Sequence, residues 1–587
     1  MKYETLVKIL DKISEDAPEE LTIYKKRESI EDLNLSRSRC FIHLFLKVRF
    51  GISTFIKREE LITDGINDGG IDAYYLDEEN KRLFLIQSKF RTNENNFEIK
   101  SLSAEDLIKM EVEKVLKGIF EDDRGNEFNG KIKDFVKRWS QIPDSARYEI
   151  KVIFLGNVRG YTKNQIKRLI GGLEFEIFDF ERSYHELVYP LCSGTYHYAS
   201  EIVVTLNLSK KYSPILEQSV NTSYGEFQVI ILFVPIGEIG QIMNKYKNSI
   251  LEYNPRHYLS YSKNPVNKKI FESAISQEEN IFALLNNGIT FLADSFFISK
   301  GTGKLNIGQI IVSNPQIING GQTAHTLGII YEKNPKDLER IFGSKEVMIR
   351  VICKNDEDSS TAIKFIEDIS DATNQQSRVD EADRRSNDKI QKLIQIKIFE
   401  IFGMYYERKK GEFFQGLDAE YIEKEQVINR DVFLRAYHAV KGNPSDARRA
   451  GSDILFSKEN FKRIIGPRED IKKMVFAYLI HRNLNRLKKE DWGFGIRYGK
   501  FAIVRAIGII MDFNQLNTSN MEERARKEIQ KIQLSWKQFE EEIKIKPENQ
   551  DYSSEEGDFD FDGYYKGKTL NKDLEEVFSK ALSNKEN

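Results

Sequence analysis

The 587-residue sequence predicts a multidomain α/β fold, and three observations carry that expectation. The chain is longer than one hydrophobic core supports, so several domains are expected. Its apolar fraction of 40% is enough for packed cores. Strand-like and helix-like segments alternate through the first part of the chain, and helical periodicity takes over after about residue 415.

In chain order, residues 1–35 are polar and charge-dense and read as one or two short helices. Residues 37–50 carry an apolar stripe suited to a buried helix, in which His43 reads as a hydrogen-bonded core histidine. Residues 69–75, in which Asp72 ends a loop and opens a strand, and residues 83–89 read as a hairpin around the polar turn Asp77–Lys81. Amphipathic helices follow at 103–118 and 129–140, strands at 148–155 and 174–180, and a helical piece at 181–192, giving a first α/β domain over 1–195. A second α/β domain is expected over 196–430. It opens with strands at 201–208 and 227–235 and a helix at 237–250. Residues 282–290 and 315–324 each read as an apolar strand running into an Asn-Gly or Gly-Gly turn, and helices are expected at 324–331 and 357–373. Helices at 420–440, 457–465, 468–487, 498–512 and 519–543 lead into and fill a helical region over 431–545. The acidic stretch 549–563 reads as flexible, so 546–587 is expected to be a tail closed by a short helix at 571–582.

Composition excludes several classes. The charged fraction is 31% but the net charge is only −2, so any nucleic-acid footprint must be local. The three cysteines are far apart and form no CxxC pair, which argues against a zinc knuckle or a disulfide framework. The opening residues lack a signal-peptide apolar region, and no run of about 18 apolar residues suggests a membrane span. A cytoplasmic location without membrane contact is the expectation.

The hairpin carries the most informative chemistry. Gln87 and Lys89 lie two apart on one strand and share a face. A hairpin symmetric about residues 79 and 80 places Asp72 opposite Gln87. One carboxylate, one amide oxygen and one ammonium then converge. Mg²⁺ or Mn²⁺ wants hard oxygen ligands, which Asp72, Gln87 and the carbonyl of Ser88 supply. Lys89 closes an apolar strand, where an unpaired ammonium is costly, and suits orienting or deprotonating an attacking water. The preceding loop, Thr63-Asp64-Gly65-Ile66-Asn67-Asp68-Gly69-Gly70, adds two glycines for close backbone approach and further acids. Asp68 or Glu31 is a possible additional acid. This arrangement resembles the PD-(D/E)XK nucleases, in the restriction-endonuclease-like branch with Gln in place of the second acid. The resemblance implies a metal-dependent endonuclease. The first helix of that fold often carries an acid, and residues 40–46 here have none.

Further on, side-chain amides gather at turns and helix starts: Asn286-Asn287-Gly288-Ile289-Thr290, Asn319-Gly320-Gly321-Gln322-Thr323 and Thr373-Asn374-Gln375-Gln376. Free N–H groups at a helix start suit an anion. Asn287, Asn319, Gln322, Thr323 and Asn374 are therefore expected to line one polar cleft, with cross-bracing of turns as the alternative. Tyr405-Tyr406 beside Glu407–Lys410 suits base stacking and phosphate contact, or a solvated structural face. With Arg256 and Asn267, these motifs in this order resemble the abortive-infection phage-resistance (AIPR) family over about 225–430. The resemblance implies bacterial anti-phage defence, plausible through nucleic-acid cleavage, with Arg256, Asn267, Asn286, Asn287, Asn319, Gly320, Gly321, Gln322, Thr323, Thr373 and Asn374 as ligand-binding or regulatory residues. The expected partners are nucleic acid, DNA favoured over RNA, and a second copy in a homodimer. A ribonuclease, and an inactive sensor that binds a nucleotide or phage component, are the alternatives.

Overall fold

The computed structural model of the chain describes residues 1–587 apart from 27, 109, 123–124, 210–214, 255–256, 258–264, 279, 302, 355–380, 467–469, 489–491, 554–557 and 584–587. The chain divides into two compact units. The first comprises Met1–Glu252, Tyr258–Glu357 and Phe413–Glu423; the second comprises Tyr253–His257, Asp358–Glu412 and Lys424–Asn587.

The first unit holds two apolar cores. The N-terminal one, from Ile71 to Ile170, packs around a four-stranded sheet in the order β1 (Ala73–Asp77), β2 (Arg82–Ser88), β3 (Glu149–Leu155), β4 (Glu174–Phe178). β1 and β2 are antiparallel with Ala73 opposite Ile86 and Asp77 opposite Arg82, the register a symmetric turn demands. β3 and β4 continue parallel to β2. The helix Ile30–Phe50 is capped by Ser29, whose hydroxyl accepts from the Asp32 N–H, and ends on Gly51 in the left-handed region. Its buried stretch, Arg39 to Leu46, is the apolar stripe legible in the sequence.

The second core of this unit runs from Ala199 to Cys353. β5 (Glu201–Asn207) alternates exposed and buried residues and joins β9 (Ser295–Ser299) and β10 (Ile307–Ser313) in a three-stranded sheet ordered β5-β10-β9. A five-stranded sheet is ordered β11 (Gln316–Asn319), β8 (Ile289–Ala293), β12 (Glu346–Lys354), β7 (Gly225–Pro235), β6 (Leu216–Thr222). Residues 282–285, expected as a strand, form the short helix Phe282–Leu285 instead. Leu284 and Leu285 point into solvent there, so the apolar run reflects no buried strand.

In the second unit, one core extends from Ala382 to Phe578, across the boundaries expected at 430 and 545. The helices Ile471–Leu484, Lys500–Ile510 and Met521–Ile545 supply a large share of it. The expectation of a flexible tail does not hold for its described residues. Phe561 and Tyr564 are buried, and the helix Leu570–Ser583 inserts Leu570, Leu574 and Phe578. Acidic composition misled because acids of that stretch are held by the fold: Asp560 accepts from the Gly563 N–H, and Asp562 pairs with Arg448 and Lys566. Tyr405 and Tyr406 also depart from expectation. They lie on β13 (Tyr405–Glu407), parallel to β14 (Val427–Asn429), and both are buried, as are Lys409 and Glu412. Tyr406 donates to Gln391, which removes it as a surface for stacking bases. Among the described residues, no helix is long and apolar enough to cross a membrane.

Candidate functional site

The loop between residues 63 and 72 is shaped by its own polar groups. The N–H groups of Thr63 and Asp64 both donate to the Asp72 carbonyl, at 2.9 and 3.0 Å. The Asp68 carboxylate accepts from the N–H groups of Gly65 and Gly70, at 3.1 and 2.8 Å. Gly69 and Gly70 take φ of 61° and 69°, where a side chain would be strained. This winding gathers three carboxylates: one ligand oxygen each of Asp64, Asp68 and Asp72 lies within 4.8 Å of the others.

Asp72 sits where the hairpin ladder gives way. Its N–H donates to the Ile86 carbonyl at 2.8 Å, and its Oδ2 accepts from the Ser88 N–H at 2.5 Å. The carboxylate therefore reaches across to the strand that carries Gln87 and Lys89. Burial, and then the neighbouring Asp68 and Asp64, push the Asp72 carboxyl up to about 8, against the Ser88 N–H and Lys89. Burial likewise raises Asp68. Two neighbouring acids that resist ionisation, Asp72 and Asp68, are what a divalent cation would relieve.

Gln87 is buried and its Nε2 donates to the Asp106 carbonyl at 2.7 Å. Its Oε1 is buried without a hydrogen-bond partner, and so is the Ser88 Oγ. Orphaned buried acceptors are costly and rare, so an oxygen left in this state beside three carboxylates fits a cation-ligand set. A carboxylate would be the stronger cation ligand at position 87. Here it would face the Asp106 carbonyl with no proton to donate, which explains the amide.

Lys89 is half-exposed and lies 3.5 Å from Asp106. It is therefore paired, which relieves the cost that an unpaired ammonium would carry at the end of an apolar strand. Burial alone would raise Asp106; bonds from Ser103 and the charge of Lys89 outweigh it and lower that carboxyl. Asp72, Gln87, Ser88, Lys89, Asp68 and Asp106 all line one cleft of about 550 Å³. Glu31 does not: it is exposed in the first turn of its helix. Asp106 had no signal in the sequence beyond its place in a short amphipathic helix, because its role depends on packing across 19 residues.

Behind the cleft, the first helix contributes a base where an acid was sought. Arg39 donates to the Asp64 carboxylate at 3.1 Å and to Glu59 at 2.8 Å. His43 is fully buried, as expected. Arg58 donates to its Nδ1 at 3.2 Å and its Nε2 lies 3.2 Å from Glu59, while burial lowers its pKa to about 4. It is a neutral structural histidine, not a ligand.

The amide motifs also meet, but among themselves. Asn286 Nδ2 donates to Thr323 Oγ1 at 3.0 Å, and Asn267 Nδ2 to Gln322 Oε1 at 2.8 Å. Asn286 accepts from the Gly288 N–H, and Asn319 from the Gly320 N–H, at 3.1 and 2.6 Å. Gly320, at φ 80°, heads the helix Gly321–Lys333 and packs so closely that a Cβ would come 2.6 Å from the Gly288 carbonyl. This is the cross-bracing alternative. Asn287 stands apart, exposed to solvent. Arg256, Thr373 and Asn374 lie outside the described residues.

The cleft and its fold define a class: an α/β protein with an acidic pocket at a hairpin. The chain belongs to the AIPR family. The family model described as AIPR protein matches residues 251–551, just over half of the chain. That span runs past 430 through the helical region and leaves the acidic cleft outside it. Membership suggests a role in anti-phage abortive-infection defence. No curated protein and no solved structure matches the chain.

Proposed function

We propose that the N-terminal part of the chain is a metal-dependent endonuclease of the PD-(D/E)XK type, and that it serves anti-phage defence by cleaving DNA. The observation that carries this reading is the convergence of Asp64, Asp68 and Asp72 within 4.8 Å beside a buried, unpartnered Gln87 oxygen. The mixed sheet, antiparallel across the hairpin and parallel beyond it, is the arrangement that the resemblance implies.

Asp72, Gln87 Oε1 and the Ser88 carbonyl would hold Mg²⁺ or Mn²⁺, with Asp68 as an additional acid. When bound, the cation supplies Lewis acidity at the phosphoryl oxygen and lowers the pKa of a water. The chain's own residues do the rest. The Ser88 N–H fixes the Asp72 carboxylate. Asp106 orients Gln87 through its carbonyl, so that the amide oxygen turns into the cleft, and it holds Lys89 through its carboxylate. Lys89 orients the attacking water, takes part in its deprotonation, and offsets charge on the phosphate. Two copies would present two hairpins, enough for both strands of a duplex, which favours a homodimer.

The test is cleavage of DNA and RNA by purified chain, with and without Mg²⁺ or Mn²⁺. Metal-dependent cutting of DNA, lost in Asp72→Ala, is the expected result. Cutting of RNA alone would make it a ribonuclease. Defence that survives in Asp72→Ala would favour the inactive binding protein.

A further inference from the structure

The five-stranded sheet ends on β6, and among the described residues no strand pairs with its outer edge. Every residue of Leu216–Thr222 is exposed, on both faces of the strand. A second strand laid along this edge would meet no described side chain in its way.

The register decides which backbone groups face outward. Pro235 on β7 lies opposite Glu346 on β12, and the Ile236 N–H donates to the Lys345 carbonyl at 3.0 Å. That bond brackets a wide pair, so Pro235 and every second residue back along β7 turn their backbone groups away from β12 and towards β6. Their partners on β6 are Leu216, Gln218, Val220 and Thr222. Alternation leaves the N–H and C=O groups of Glu217, Ser219 and Asn221 pointing away from the sheet.

Edge strands are commonly blunted by lysine, proline or a bulge. β6 has no lysine or proline, and its register against β7 runs unbroken from Leu216 to Thr222. Its one charge is Glu217.

The strand is complementary to itself. When two copies pair antiparallel about Ser219, Ser219 meets its own counterpart, and Glu217 meets Asn221 on either side of the two-fold axis. This register pairs every outward-facing residue of both strands. It also sets each carboxylate beside an amide that can donate to it. Centring the pair on Glu217 would instead oppose two like charges. On the other face, Val220 lies diagonal to its counterpart and Leu216 lies opposite Thr222, so exposed apolar surface is covered across the axis.

We propose that β6 is the interface between two copies of this chain, paired antiparallel about Ser219 so that their sheets become continuous. A two-fold contact uses the same patch on both copies, which a self-complementary strand supplies. One added strand buries less area than a standard interface, so the dimer is concentration-dependent. The proposal gives the second copy invoked above a surface. Its test reads mass and not cleavage, so either reading can fail alone.

The experiment is sedimentation equilibrium of the full chain over a range of concentrations, without divalent metal. A monomer–dimer equilibrium is the expected result, with the dissociation constant raised about tenfold or more in Ser219→Pro. That proline removes an outward N–H that no bond to β7 uses, so the hairpin tolerates it. Val220→Lys, which sets two ammonium groups diagonally across the axis, gives the same readout if Ser219→Pro does not fold. Cross-linking reads the register. Cys40, Cys192 and Cys353 are buried, so Ser219→Cys should form a disulfide with its counterpart in air. Asn221→Cys should not, because its counterpart is displaced along the strand beyond disulfide reach. A monomer at every concentration, a dimer that both Ser219→Pro and Val220→Lys leave intact, or cross-linking through Asn221→Cys in place of Ser219→Cys overturns the proposal.

Discussion

Two glycine-rich polar regions of the first unit look alike in sequence and differ in what their polar atoms do. Around Asp72, buried oxygens of Gln87 and Ser88 have no partner, and three carboxylates crowd together. Around Gly320, the amides of Asn267 and Asn286 bond to Gln322 and Thr323, and the Asn286 and Asn319 oxygens accept from the N–H groups of the following glycines. Both regions use left-handed glycines to bring backbone close. The first holds three carboxylates beside unpartnered oxygens; the second packs two turns together. Unsatisfied buried polarity marks a place for a ligand, and mutual satisfaction marks architecture.

The largest expected effect tests the first region. Asp72→Ala should lower metal-dependent cleavage on the order of a hundredfold or more, while its melting temperature without metal holds or rises, because two crowded acids repel less than three. A folded variant that cuts at the wild-type rate would remove Asp72 from the site.

Gly320→Ala should act oppositely. The new Cβ meets the Gly288 carbonyl at 2.6 Å and the Ile289 Cα at 2.8 Å, at a φ of 80°. Denaturant unfolding should show a loss of about 3 kcal/mol, and the fraction that stays folded should keep its Mn²⁺ affinity. Weakened Mn²⁺ binding by the folded protein would join the two regions into one composite site.

Gln87→Leu removes the orphaned oxygen, so calorimetric Mn²⁺ affinity should fall by roughly tenfold. Unchanged affinity would mean that the oxygen never ligates. Asn267→Ala should cost about 1–2 kcal/mol by stripping Gln322 of a bonded partner. Cleavage by the folded protein should be unchanged, and a change there would give the braces a functional part.

The smallest effect lies outside both regions, in the second unit. His481 stacks on Phe501 and is buried. Burial, then Lys500 and Arg435, lower its pKa from 6.5 to about 4. The unfolded chain takes up the proton first, so this contribution to stability is complete above about pH 6.5 and lost as pH falls toward 4. His481→Phe should spare about 1 kcal/mol of the loss between pH 6.5 and about pH 5.5, measured by denaturant titration at both pH values.

The hairpin was legible because a polar turn between two apolar strands fixes register locally. Asp77 opposite Arg82 and Ala73 opposite Ile86 follow from turn symmetry alone. The buried helix with His43 was equally legible from its apolar stripe. Residues 282–285 and 549–563 were not. A short apolar run has no period to distinguish helix from strand, and acidic composition does not show that Asp562 is paired with Arg448 or that Phe561 is buried. Nor could Tyr405-Tyr406 reveal its burial, since a strand pairing with residues 427–429 supplies it.

By itself, then, the sequence determined which side chains could do chemistry: Asp72, Gln87 and Lys89 on one hairpin, and the AIPR motifs in their order. Local rules suffice there, because two residues on one strand face share a side whatever surrounds them. Only the tertiary structure decided which of those groups are left unpaired. Asp106 claims one end of Gln87 and frees the other, Arg39 holds Asp64, and the Asn-Gly motifs spend their amides on each other. Pairing of a buried polar atom depends on residues distant in the chain, and spacing along the sequence does not carry that information.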